Sequence, residues 1–210
     1  MCSIVILQYI LYILMMLEGI HGQQKRIIQP HENTEVDEHP WMALLTDPKG
    51  GFCGGVIINR CFILTVAHCF TLGKPINKVN LGIHKRKFLN HGTIYTRGRS
   101  LNTFMYKIHE KATKNNQWIP DIAMIRLSNP LTYAENKIQS ICLSSNTPEE
   151  GLNLTAYGWG HHSLKKGKSQ NILKKRKETI TQCSDIDCTV IPEITGQGDS
   201  GGPWITSGED

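Results

Sequence analysis

The residues best suited to chemistry lie in one glycine-rich run, Gly198-Asp199-Ser200-Gly201-Gly202-Pro203. From average residue usage, such a string occurs by accident on the order of once in 10⁷ windows. Glycines let the backbone bend so that successive N–H groups point into one small space, which can hold a developing oxyanion. The run therefore predicts that Ser200 is a nucleophile, with its own N–H and that of Gly198 as oxyanion donors.

A serine hydroxyl is a weak nucleophile at neutral pH and needs a base, normally a histidine that a carboxylate orients. Among the nine histidines, only His68 directly follows a predicted buried strand, in the run Leu64-Thr65-Val66-Ala67-His68-Cys69. Cys69 is placed to pin the turn that follows. His68 is therefore the predicted base.

The orienting carboxylate is predicted at Asp121, which opens the otherwise apolar run Ile122–Leu127. A carboxylate that is buried without a partner is costly, and an imidazole N–H would satisfy it while fixing the tautomer of the ring. Asp121 is therefore expected beside His68.

Short β-rich runs separated by turn clusters must position these groups, and this pattern is typical of an all-β domain. The clearest strand candidates are Met42–Leu45, Val56–Ile58, Phe62–Val66, Ile122–Leu127 and Leu154–Tyr157. Strand propensity alone leaves both a sandwich and a barrel open.

The histidine box, the Asp-Ile-Ala strand and the Gly-Asp-Ser-Gly-Gly-Pro turn, in this order, resemble the trypsin-like serine protease family. Further matches are His39-Pro40-Trp41, Cys53-Gly54-Gly55 and Tyr157-Gly158-Trp159-Gly160, so that the resemblance spans residues 26–204. It implies an all-β fold of two antiparallel six-stranded-type β-barrels, with the triad in the cleft between them. It also implies a secreted serine endopeptidase that cleaves protein or peptide substrates without a cofactor.

The resemblance further implies disulfides and an activation step. Cys53 is expected to pair with Cys69, and Cys183 with Cys188. Cleavage after Arg26 by an activating protease would free an amino group at Ile27. In the family this amine pairs with the acid before the catalytic serine, here Asp199, and orders the oxyanion loop. A protein inhibitor is a further candidate partner.

The N-terminal run Ile4–Leu17 is apolar but shorter than the about 20 residues that a membrane span needs. We interpret residues 1–22 as a signal peptide, 23–26 as a short activation peptide and 27–210 as the protease domain; a signal anchor is the alternative. An extracellular protein with no membrane span after signal removal is expected.

Loss of Cys2 with the signal leaves six of the seven cysteines, an even number that fits disulfides formed during export. No cysteine pair has zinc-finger spacing beside a matching histidine pair, so no metal site is predicted. The net charge of +5 owes much to the run between Lys165 and Lys177. We interpret that run as a solvated loop or an anion-binding exosite; without interleaved aromatic residues it does not indicate nucleic-acid binding.

The chain also departs from the family pattern. Ile194 stands at the floor of the substrate pocket, where no acid would pair with Arg or Lys, so an apolar pocket is expected. Gln29 and Pro30 replace two glycines, and the chain stops at Asp210, which leaves the second barrel truncated. A secreted, non-catalytic homologue that binds a partner is therefore the alternative.

Three further residues carry smaller expectations. Asn153-Leu154-Thr155 is a glycosylation sequon. Cys61 and Cys142 have no assigned partners, and they could pair with each other, or Cys142 could tether another segment.

Overall fold

The computed structural model describes residues 32–36, 38–71, 76–86, 93–97, 103–112, 120–145, 148–160, 170–183, 188–190 and 198–206. For 93–97, 182–183 and 188–190 it describes the backbone alone. The expectations for the signal peptide, Arg26, Ile27 and Ile194 lie outside the described residues.

The regular secondary structure of the described residues is almost entirely β, which confirms the all-β prediction. Their one helix is the single turn α1 (His68–Thr71). It is not long and apolar enough to cross a membrane. The strands are β1 (Glu32–Asn33), β2 (Met42–Thr46), β3 (Phe52–Ile57), β4 (Phe62–Thr65), β5 (Lys78–Leu81), β6 (Thr93–Arg97), β7 (Thr103–Ile108), β8 (Ala123–Leu127), β9 (Asn153–Gly158), β10 (Lys174–Cys183), β11 (Cys188–Val190) and β12 (Trp204–Thr206).

The first half of the fold is a closed barrel in the order β2-β3-β4-β8-β7-β6-β5. Alternate residues of β8 point into it, so that Ala123, Ile125 and Leu127 are buried while Arg126 is exposed. Each fully buried Leu or Ile side chain contributes about 1.5–3 kcal/mol relative to an exposed one. The barrel interior therefore holds the main apolar core and fixes the positions of the strand ends.

The barrel has one strand more than the six-stranded type that the resemblance implies. The stretch between β5 and β8 contains two separate runs of β-branched and aromatic residues, 93–97 and 103–108, and each forms its own strand. These strands, β6 and β7, pair in parallel over only two residue pairs, whereas the other barrel pairs are antiparallel.

The second half, expected as a truncated barrel, is a five-stranded sheet in the order β1-β10-β9-β12, with β11 paired to β10. It packs against the barrel through a second apolar cluster that includes Met42, Leu44 and Trp159. Because β2 turns Ala43 and Leu45 into the barrel and Met42 and Leu44 toward the sheet, both of its faces are buried. This seam between barrel and sheet positions the candidate site.

Candidate active site

The structure brings His68 and Asp121 into direct contact. Strands β4 and β8 pair so that Thr65 lies opposite Ala123, which places the residues just after β4 beside those just before β8. The Nδ1 atom of His68 lies 2.6 Å from Oδ2 of Asp121, and the backbone N–H of His68 donates to Oδ1 at 2.9 Å. This pair of contacts orients the ring and, with the proton on Nδ1, leaves Nε2 as a proton acceptor.

A disulfide between Cys53 and Cys69 ties β3 to the helical turn that carries His68. It is the histidine-loop bridge that the resemblance implies. The two sulfur atoms and a ring nitrogen of His68 all lie within 4.8 Å of one another. Since disulfide sulfurs are not thiolates, this cluster has no strong metal ligand beside the ring.

The turn that contains Ser200 is docked on the same strand. The backbone N–H of Gly54 donates to the carbonyl oxygen of Ser200 at 2.8 Å, and Gly202 N–H closes the turn onto Asp199 O at 3.0 Å. Gly54 follows Cys53, whose sulfur lies beside His68. The backbone of Ser200 and the His68 ring are therefore both held at the β3 end that carries Cys53 and Gly54.

Gly201 is required in this turn for two reasons. Its φ of +80° lies in the left-handed region, and a Cβ there would lie 2.6 Å from the carbonyl oxygen of Gly54 and would collide with Thr65 Oγ1. Thr65 Oγ1 itself donates to that carbonyl at 2.8 Å. Any larger side chain at position 201 would push the turn away from β3.

The side chain of Asp199 points into the second sheet. Its Oδ1 accepts a hydrogen bond from Gly160 N–H at 2.6 Å, and its carboxylate lies where a Cβ at Gly158 or Gly160 would be. The backbone of Gly158-Trp159-Gly160 thus leaves space for this carboxylate and donates a hydrogen bond to it.

Sequence reasoning missed a buried ion pair in this sheet, between Arg176 and Glu178. Their side chains are only 5% and 8% exposed. Burial is the largest effect on both groups, lowering the pKa of Arg176 and raising that of Glu178. The charges of Glu178 and Asp199 act on Arg176 in the opposite direction.

The interpretation of the basic run as a solvated loop is wrong for residues 174–177, because they form part of β10. Successive side chains of a strand point to opposite faces, so Arg176 turns inward while Lys177 is exposed. The overlooked signal is the alternation of Arg176, Glu178 and Ile180, all on the covered face.

Phe52 and Arg86 also lie beside the Ser200 turn and were not predicted. The Arg86 guanidinium lies 3.8 Å from the centroid of the Phe52 ring, and that ring occupies the place of a Cβ at Gly198. Burial lowers the pKa of Arg86. A cation on an aromatic ring thus flanks one side of the turn.

The remaining predicted residues lie away from this site. Asn153 is exposed at the start of β9, where its Oδ1 accepts from Thr179 Oγ1 at 2.8 Å. Cys183 and Cys188 lie opposite each other in the β10–β11 ladder, and their disulfide stays a prediction. Cys61 and Cys142 are free thiols, so they do not pair with each other.

Comparisons with known proteins agree with this arrangement. The family model described as Trypsin matches residues 28–209. The chain is 30% identical to trypsin iota of Drosophila melanogaster, over 81% of this chain and 70% of that protein. It is 29% identical to an alpha-fibrinogenase-like protein of Daboia siamensis, over 82% of this chain and 69% of that protein.

Among solved structures, neuropsin, described as a serine protease expressed in the limbic system of mouse brain, superposes with a TM-score of 0.70 at 22% identity. The match covers 85% of this chain and 82% of neuropsin. The fold, a β-barrel packed against a second β-sheet, is therefore similar to that of this serine protease. With the family match over most of its length, the chain belongs to the trypsin-like serine protease family.

Proposed function

We propose that this protein is a secreted serine endopeptidase that uses Ser200, His68 and Asp121 as its catalytic triad. The observation that carries the proposal is the two-point contact of Asp121 with the ring and the backbone of His68. The hydrogen bond from Gly54 N–H to the Ser200 carbonyl supports it, since the backbone of Ser200 is then held at the same end of β3 as Cys53.

In the proposed reaction, Ser200 Oγ attacks the carbonyl carbon of the scissile peptide bond while His68 Nε2 takes its proton. The N–H groups of Gly198 and Ser200 stabilise the resulting oxyanion, and His68 then returns the proton to the leaving amine. A water molecule, activated by the same ring, hydrolyses the acyl-enzyme. Proton transfer contributes roughly 10²–10⁴ in rate, and one oxyanion donor about 10²–10³.

Secretion and substrate preference belong to the same proposal. The Cys53–Cys69 disulfide is of the kind that persists in oxidising compartments, and the apolar run Ile4–Leu17 has the length of a secretory signal. The resemblance assigns Ile194 to the pocket floor, and on this basis we propose that the preferred substrates have an apolar residue before the cleaved bond rather than Arg or Lys. Recovery of the protein from culture medium, and cleavage of peptide libraries, test these two points.

A fluorophosphonate probe tests the activated serine directly, because it reacts irrespective of side-chain preference. We expect the secreted protein to be labelled on Ser200, and Ser200→Ala to abolish the label. His68→Ala should slow labelling to the background rate of an ordinary serine. Absence of labelling in the folded protein, both before and after cleavage at Arg26, would contradict the proposal and favour the non-catalytic, partner-binding alternative.

A further inference from the structure

The ring of Phe52 lies against the Ser200 turn, on the side that faces β3. It occupies the place that a Cβ at Gly198 would take, so it lies directly on the backbone of that residue. Phe52 is followed by Cys53, whose sulfur lies within 4.8 Å of a ring nitrogen of His68. Because His68 returns the proton to the leaving amine in the proposed reaction, the part of the substrate that follows the cleaved bond lies on the His68 side. Phe52 therefore borders that part of the substrate.

Arg86 places a positive charge on the same ring. Its guanidinium carbon lies 3.8 Å from the centroid of Phe52, and both residues are partly exposed. Burial lowers the pKa of Arg86, but an arginine side chain stays protonated in proteins. Stacking on an aromatic ring holds the guanidinium in place. One aromatic ring thus lies between a permanent cation and the backbone of Gly198.

Backbone contacts across the seam between barrel and sheet fix the position of Arg86. Its N–H donates to the carbonyl oxygen of Asn171 at 2.8 Å, and Leu173 N–H donates to His84 O at 3.0 Å. The guanidinium also donates to Gln170 O at 3.5 Å. A guanidinium carries five N–H donors in a fixed fork, so it can hold several partners at once. A cation that the fold already positions loses little conformational entropy when it attracts an anion.

We propose that Arg86, stacked on Phe52, selects substrates that carry an acidic side chain at the first or second residue after the cleaved bond. The inference rests on the proposed function and names the substrate class on the leaving side. The preference attributed to Ile194 concerns the residue before the bond. An extended chain advances about 3.3–3.6 Å per residue, so the first two residues after the bond span about one aromatic ring with its two contacts. A carboxylate at either position then lies within reach of the guanidinium.

The experiment measures kcat/KM of the full chain, cut after Arg26, on a library of peptide amides. Every apolar residue is represented before the scissile bond, and Glu, Gln or Lys stands at the first or the second position after it. The terminal amide makes the Glu side chain the sole carboxylate on that side. We expect Glu peptides to exceed Gln peptides by about three- to tenfold, the size expected for a partly exposed charge pair. This preference should shrink as salt rises from about 0.05 M to about 0.5 M.

Arg86→Gln should bring the ratio of Glu to Gln peptides to about one. A merely structural role of Arg86 would instead lower kcat/KM for both peptides together and leave their ratio unchanged. Arg86→Lys keeps the charge and should retain part of the preference. Lys85→Gln removes the same charge from the preceding residue, which is also partly exposed, and is the matched control. It should leave the ratio close to that of the unaltered protein.

The outcomes separate this inference from the proposed function. Equal cleavage of Glu and Gln peptides by the unaltered protein at low salt overturns the inference. So does a preference for Glu that persists in Arg86→Gln, or one that falls equally in Arg86→Gln and Lys85→Gln, since net charge alone would then explain it. If the protein is folded and cut after Arg26 but cleaves no library peptide, the proposed function itself fails.

Discussion

Asp121 orients the His68 ring, and its carboxylate favours the tautomer with the proton on Nδ1. One carboxylate oxygen accepts from the backbone of His68 and the other faces Nδ1 of the ring. The ring therefore cannot turn without breaking a short polar contact in a site where both side chains are only about a quarter exposed.

Asp121→Asn tests this control with minimal change of shape. The amide can present N–H toward Nδ1 and so favours the tautomer whose proton sits on Nε2. In the proposed reaction, that nitrogen could then not accept the proton of Ser200. We expect the labelling rate to fall by about 10⁴ while the melting temperature changes little. A fall of less than tenfold would show that Asp121 does not control the base.

A second prediction at this scale concerns Gly201. Gly201→Ala adds a methyl group that collides with Thr65 and the Gly54 carbonyl, so it should both destabilise the fold and slow labelling. Gly50→Ala is the matched control, because Gly50 has a similar φ of +87° but nothing within 4 Å of its Cβ position. Equal effects of the two substitutions on labelling would contradict the docking of the turn on β3.

His68 and Asp121 could be predicted as partners because each lies at the end of an apolar strand, where a buried polar group needs a hydrogen-bonding partner. The burial of Arg176 could not be predicted, because this residue lies among lysines in the sequence and its burial depends on how β10 pairs with β9. That register is set by long-range contacts that no local pattern encodes.

At the scale of the elements, a disulfide joins strand β3 to the helical turn α1. The bond joins Cys53 and Cys69, which are separated by 16 positions in the sequence. By restricting the unfolded chain, a bridge of this length contributes about 3 kcal/mol. It also keeps the His68 turn next to the strand on which the Ser200 turn is docked.

The double substitution Cys53→Ser and Cys69→Ser should therefore lower the free energy of unfolding by about 3 kcal/mol. Urea titration followed by tryptophan fluorescence provides the measurement. Cys142→Ser is the control, because Cys142 is an exposed free thiol. A loss below about 1 kcal/mol in the double variant would mean that the β3–β4 hairpin already confines the unfolded chain.

The bounds of strands with an apolar face were predictable to within one or a few residues. Strand β2 is one residue longer than the predicted strand Met42–Leu45, and β8 is one residue shorter than the predicted strand Ile122–Leu127. By contrast, β10 has the sequence Lys-Lys-Arg-Lys-Glu-Thr-Ile-Thr-Gln-Cys, whose charges obscure the period-two pattern. Its place in the sheet comes from tertiary pairing rather than from local propensity.

At the scale of the whole molecule, His39 links the two halves. Its ring centroid lies 5.4 Å from that of Trp41 and 4.2 Å from that of Tyr157 in β9. The pKa of His39 is lowered mainly by burial. The charges of Lys175 and His84 lower it further, and the charge and hydrogen bond of Glu38 act in the opposite direction. The folded protein therefore favours the neutral ring.

This shift predicts a pH dependence of stability. Below the ordinary pKa of 6.5, the unfolded chain protonates His39 while the folded chain resists, so the free energy of unfolding falls as the pH drops from 6.5 toward the lowered pKa. His39→Gln should reduce this slope. Urea titrations of both proteins at several pH values measure it, and identical slopes would exclude His39 as the titrating group.

The hydrogen bond from Gly54 to Ser200 has a consequence for deuterium uptake. Its donor belongs to the barrel and its acceptor to the Ser200 turn, so the exchange rate of this one amide reports how often the turn separates from the barrel. If turn and barrel open only together, Gly54 should exchange as slowly as Ile57, whose amide donates to Trp41 O. Faster uptake at Gly54 alone would reveal a breathing motion that uncovers the serine while the barrel stays intact.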